Sequence, residues 1–150
     1  MNRVLRNVAA IIIGFAAASL VNMAIITLGS SLIAPPANAD MNTIEGIRAA
    51  MPRMAPIQFL MPFLAHAVGT LAGAFAAALT AASHKMRFAL AIGVIFLASG
   101  VAMVSMVGGP LWFIAADLIL AYLPMAWLGG RMGMGLTGNA RVSRTAVVEH

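Results

Sequence analysis

The chain is 150 residues long, 62% hydrophobic and 9% charged, with a net charge of +5, no cysteine and a mean hydropathy of +0.97. Soluble domains carry about 25% charged residues, so this composition excludes one and leaves room for a single membrane domain. Without cysteine there are no disulfides, thiol catalysis or thiolate metal sites. The basic residues sit at the ends of apolar runs rather than on an aromatic-interleaved surface, which argues for topology and against nucleic acid.

A short basic lead with Arg3 and Arg6 precedes an apolar run from residue 8 to about 33. Ala37-Asn38-Ala39 would suit signal cleavage, but a signal core spans only about 7 to 15 residues, so the run is expected to be a retained anchor helix. Pro35 and Pro36 stop it. Beyond them, Asn42 and Glu45 are spaced like a capping box, and Ile44, Ile47, Met51 and Met54 share a helical face apart from Glu45 and Arg48. This pattern predicts a short amphipathic helix lying in the interface of the first outer loop, ended by Pro52 and Pro56.

Three further spans follow, over about 57–82, 88–107 and 111–128, with Pro62 in the first turns of the second. A tight connection containing His84, Lys85 and Arg87 joins the second and third. Gly108-Gly109-Pro110 turns the chain into the fourth. Residues 129–150, with Gly129, Gly130, Gly133 and Gly135 and later Ser143, Arg144 and Thr145, read as a flexible cytoplasmic tail free to meet anionic lipid or a partner. The glycines follow no strand and make no phosphate loop.

Arg3, Arg6, Lys85, Arg87, Arg131, Arg141 and Arg144 fall on one side of this arrangement, and only Arg48 and Arg53 on the other. The positive-inside rule then predicts both termini in the cytoplasm, in a bacterial inner membrane, with Trp112 and Trp127 as anchors at opposite ends of the last span. The expected fold is all-α: an integral membrane four-helix bundle.

Asp117 is the strongest functional lead. An Asp at mid-span costs about 3 kcal/mol on insertion, against about 0.3 to 0.6 kcal/mol returned by each Leu, Ile or Phe around it. The fourth span is therefore marginal alone, and the acid should find a partner on another helix. At about 1.5 Å per residue, Asp117 lies roughly 10 Å below the outer end of its helix, His66 and Ser99 roughly 13 Å, and Asn22 roughly 15 Å. A polar layer of Asp117, His66, Asn22 and Ser99 is expected, with His66 in contact with Asp117. His66 shares its face with Gly69, Thr70, Gly73 and Ala77, a small-residue stripe that lets helices approach closely. Such a layer fixes helix register, or carries protons, or contacts a ligand.

Met51, Met54, Met103 and Met106 recur in Met-x-x-Met pairs, and thioethers suit Cu(I). Gap-filling is the preferred reading of these side chains, so no metal or cofactor is expected. A lone intramembrane His does not supply the paired ligands of a two-histidine haem.

Pro35-Pro36, the Pro110-x-Trp112-Phe113 opening and the Ala121-Tyr122-Leu123-Pro124-x-Ala126-Trp127-Leu128-Gly129 close resemble a family of small uncharacterised bacterial inner-membrane proteins. The resemblance covers most of the chain and implies no activity. The expected function is a non-enzymatic membrane protein whose partners are the bilayer and other membrane subunits or further copies of itself. The alternative is a small proton-coupled transporter or channel using Asp117 and His66.

Overall fold

A computed structural model describes residues 2–148, with side chains to Thr137. Its elements are α1 (Arg3–Leu32), α2 (Ile44–Ala50), two 3-10 turns (Met51–Arg53 and Pro56–Phe59), α3 (Leu60–Thr80), α4 (Lys85–Val107), α5 (Leu111–Leu120) and α6 (Leu123–Val148), with no strand among the described residues. Four stretches are long and apolar enough to cross a bilayer: Arg3–Leu32, Pro56–Thr80, Lys85–Val107 and Leu111–Thr137. The protein is an all-helical bundle of multi-pass membrane type.

Small residues set the packing. Gly14 and Ala18 of α1 meet Gly69, Gly73 and Ala77 of α3; a methyl group at Gly73 would fall 2.5 Å from the Ala18 Cβ. The predicted stripe thus lies inside the bundle, against α1. On its other side α3 meets α6, where Gly129 rests on the Leu71 carbonyl and Gly133 on the Phe75 carbonyl and Ala78. On α4, Gly93 faces Ala126, and Ala89 faces Gly130. Alanine and glycine make up most of the buried residues, and the largest fully buried side chains are Tyr122, Ile92 and Thr70. Large apolar side chains such as Ile12, Leu20, Val94 and Ile119 point outward, as they should where the surrounding solvent is acyl chain.

The fourth span departs from the expected continuous 111–128 helix. It breaks after Leu120 and resumes at Leu123. Pro124 has no N–H to offer the Leu120 carbonyl, so one rung of the helix is lost. Ala121 N–H closes α5 on the Asp117 carbonyl at 2.9 Å, and Ala126 N–H opens α6 on the Tyr122 carbonyl at 2.8 Å.

The helix end expected at Leu128 is also corrected: α6 remains helical through Val148. Gly129, Gly130 and Gly133 are buried. They mark close helix approach rather than a helix end, since glycine serves both purposes. The side chains of Ser143, Arg144 and Thr145, and residues 149–150, lie outside the described residues.

Each end of the bundle is tied by polar contacts. Arg6 donates to the Thr80 carbonyl through Nε (3.3 Å) and Nη2 (3.1 Å), and Lys85 Nζ donates to the Ala78 carbonyl at 2.7 Å. Two cations therefore cover the open C-terminal carbonyls of α3, where the helix dipole favours positive charge. Asn7 joins the same end, accepting from Ala82 N–H and donating to Ser83 Oγ.

At the far end, α2 lies against α4, with Arg48 donating to the Met106 carbonyl through Nε at 2.7 Å and also through Nη2. The α2 cap is Thr43, not Asn42. Thr43 Oγ1 accepts from Gly46 N–H at 3.1 Å, while Asp40 accepts from Thr43 Oγ1 at 2.6 Å and from Asn42 N–H at 2.9 Å. Asp40 fixes that choice by holding the Asn42 backbone and the Thr43 hydroxyl together. Gly108 and Gly109, at φ +73° and +146°, make the turn into α5 in backbone conformations open to few other residues.

Candidate functional site

Asp117 sits on the last turns of α5 at 2% exposure, between α3 and the start of α6. His66 of α3 reaches it, with Nδ1 and Oδ1 2.8 Å apart. The second carboxylate oxygen, Oδ2, accepts from the Tyr122 hydroxyl at 3.0 Å. The Tyr122 ring stacks on the His66 imidazole, with centroids 5.7 Å apart and planes 28° from parallel. The break between α5 and α6 makes this possible. On an unbroken helix two residues five apart would point about 140° away from each other. With the rung at Pro124 missing, Tyr122 turns back under Asp117. Gly100 of α4 lies against the phenol, where a side chain would strike the ring.

This cluster joins three structural units: α3 through His66, α5 through Asp117 and the start of α6 through Tyr122. Both oxygens of the only acid among the four spans are satisfied by the protein itself. With Nδ1 engaged by Asp117, Nε2 of His66 has no hydrogen-bond partner among the described residues. The His66 side chain is 26% exposed, so it forms the outward edge of an otherwise buried cluster.

The other expected members of the layer divide. Asn22 does lie beside α3, its Cβ and backbone N–H packed on Gly69, and its Oδ1 is buried without a hydrogen-bond partner. Thr70, one turn along α3 from His66, likewise has a buried, unpartnered Oγ1. Ser99 is not part of the layer. It is exposed on α4 and donates to its own helix at the Ile95 carbonyl, 3.0 Å away. Equal depth places residues at one level but leaves the azimuth around each helix open, and Ser99 faces outward.

Tyr122 is the functional residue that spacing alone misses. Its signal was the proline two positions later, which marks a point where helical facing no longer applies.

Met51 and Met54 line a groove at the α2 end, whereas Met103 and Met106 are 43% and 37% exposed on α4. Among the described residues no group of three or more His, Asp or Glu side chains could hold a metal ion.

No protein-family model, curated protein or solved structure matches this chain. The class it belongs to is defined by its own architecture: a four-span helical membrane protein with a buried His–Asp–Tyr cluster at the break in its last span.

Proposed function

We propose that the protein is a non-enzymatic integral membrane protein that serves as an accessory, structural subunit of a larger complex. The observation that carries this reading is the closed state of Asp117. Its two oxygens are taken by His66 and Tyr122 and it is almost fully buried. A polar cluster satisfied in this way locks helix register and offers little to a transported substrate. The protein is further proposed to reside in a bacterial inner membrane, as the Pro110 to Gly129 motifs suggest, with both termini cytoplasmic. Arg6, Lys85 and Arg131 at one end against Arg48 and Arg53 at the other support that orientation.

Extraction from its native membrane in mild detergent, followed by native electrophoresis and mass spectrometry, tests the proposal. A discrete assembly of fixed stoichiometry is expected. A chain that migrates alone at 15.5 kDa plus detergent would overturn it.

A second reading, a proton-coupled transporter or channel, is favoured by one specific observation. Asn22 Oδ1 and Thr70 Oγ1 are buried polar atoms without protein partners; Thr70 lies one turn along α3 from His66, and Asn22 of α1 packs on Gly69 between them. Intramembrane ionisable groups flanked by such atoms often mark a proton path. Liposomes loaded with a pH-sensitive dye separate the two readings. The structural reading requires equal proton leak with the wild type and Asp117→Asn; flux present in the first and lost in the second establishes transport.

A further inference from the structure

We propose that the α2 end of the bundle holds one anionic phospholipid, its phosphate at Arg48 and one acyl chain in the cleft between α3 and α5. This inference needs only that the protein sits in a bilayer and is independent of the role proposed above.

Two cavities meet at this end of the molecule. The first, about 460 Å³, is lined by Arg48, Met51, Met54, Val107 and Pro110. The second, about 490 Å³, runs down between α3 and α5 over Ile57, Leu60, Phe63, Phe113 and Ala116. Pro56, Phe59 and Trp112 line both, so the two form one groove. Phe59 sits at the junction, edge-on to Trp112 at 5.5 Å and tilted on Phe113 at 4.7 Å. The groove changes character along its length. Its upper part contains a guanidinium, and its lower part has only hydrocarbon and aromatic walls. It ends at Phe63, three residues before His66, and at Ala116, the residue before Asp117.

That gradient matches a molecule with an anionic head and an apolar tail. Arg48 is exposed and held in place by its bonds to the Met106 carbonyl, and it forms no ion pair with a carboxylate among the described residues. Its charge therefore stands without an ion-pair partner at the mouth of an apolar channel. A planar guanidinium offers several N–H donors suited to phosphate oxygens. Trp112, 53% exposed, lies at the same level, where an indole favours the boundary between headgroup and chain.

The test reads the fluorescence of Trp112 in a Trp127→Phe background, which leaves it as the only tryptophan of the two in the chain. The protein is reconstituted in brominated phosphatidylcholine, which quenches indole. Unbrominated phosphatidylglycerol or phosphatidylcholine is then added at matched mole fraction. One basic side chain at a membrane surface corresponds to a preference of about fivefold for the anionic lipid, so phosphatidylglycerol should protect Trp112 at correspondingly lower mole fraction.

Arg48→Gln should remove the preference. Arg53→Gln, at the same end but outside the groove, should keep it. Ala116→Phe, which fills the foot of the cleft, should also remove it, and this variant tests the tail independently of Arg48. Equal protection by the two lipids in the parent protein, or a preference unchanged in both Arg48→Gln and Ala116→Phe, would overturn the proposal.

Discussion

Tyr122 donates its phenolic hydrogen to Asp117 Oδ2 across the gap between α5 and α6, and the gap allows the two side chains to meet. The helix break and the hydrogen bond support one another. The chain gives up one backbone rung at Pro124 and gains a buried partner for a carboxylate that would otherwise be costly at this depth.

Removing that hydroxyl should therefore destabilise the bundle. Tyr122→Phe keeps the ring stacked on His66 but leaves Oδ2 buried and unpaired, at a cost of about 1 to 3 kcal/mol. Reversible unfolding in mixed micelles measures this. A variant as stable as the wild type would mean that the hydroxyl is not bound to the acid.

The glycines of α6 should separate sharply by position. At Gly129 an added methyl group would collide with the Leu71 carbonyl and come within 3.0 Å of the Phe75 backbone nitrogen, neither of which can swing away. Gly129→Ala should then cost about 1 to 3 kcal/mol, the usual range for forcing extra carbon into a packed interface. At Gly135 the added group meets nothing within 4 Å. Gly135→Ala should be neutral or stabilising by up to about 1 kcal/mol, through helix propensity alone. The same unfolding assay ranks the two, and equal effects would contradict the packing described for α3 and α6.

These positions also show how far residue order reaches. Hydropathy places all four spans, because length and apolarity are local properties. Depth counting brings His66 to Asp117, because two helices that start at the same surface share a vertical scale. The same counting fails for Ser99, since depth carries no information about which way a side chain faces. The helical wheel misses Tyr122 because the wheel assumes an unbroken helix. Gly129, Gly130 and Gly133 look like a flexible exit because glycine ends helices as readily as it lets them touch; only the opposing Leu71, Phe75 and Ala89 decide between these meanings. At α2, Asn42 and Thr43 are both competent caps, and the carboxylate of Asp40 selects the second.

Asp40 gives a pH prediction at that cap. The Thr43 hydroxyl first, and then the Asn42 backbone N–H, hold its carboxyl below the ordinary value of 3.8. A depressed folded value means that the contribution is fully present above 3.8 and is lost as pH falls through the lower folded value. The amide resonances of Asn42 and Gly46 should hence remain constant at higher pH and shift only below 3.8. A titration midpoint above that value would contradict the hydrogen bonding of the cap. Asp40→Asn should leave these resonances without the acid transition.

The central claim is that His66 and Asp117 act as one unit in the interior of the bundle. A double-mutant cycle with His66→Ala, Asp117→Ala and the combined variant, followed by unfolding in micelles, tests it most directly. Hydrogen bonds between membrane helices couple by about 0.6 kcal/mol on average and up to about 1.7 kcal/mol. A coupling in or above that range is expected, with the double variant losing less than the sum of the single losses. Strictly additive losses would show two independent residues and contradict the account.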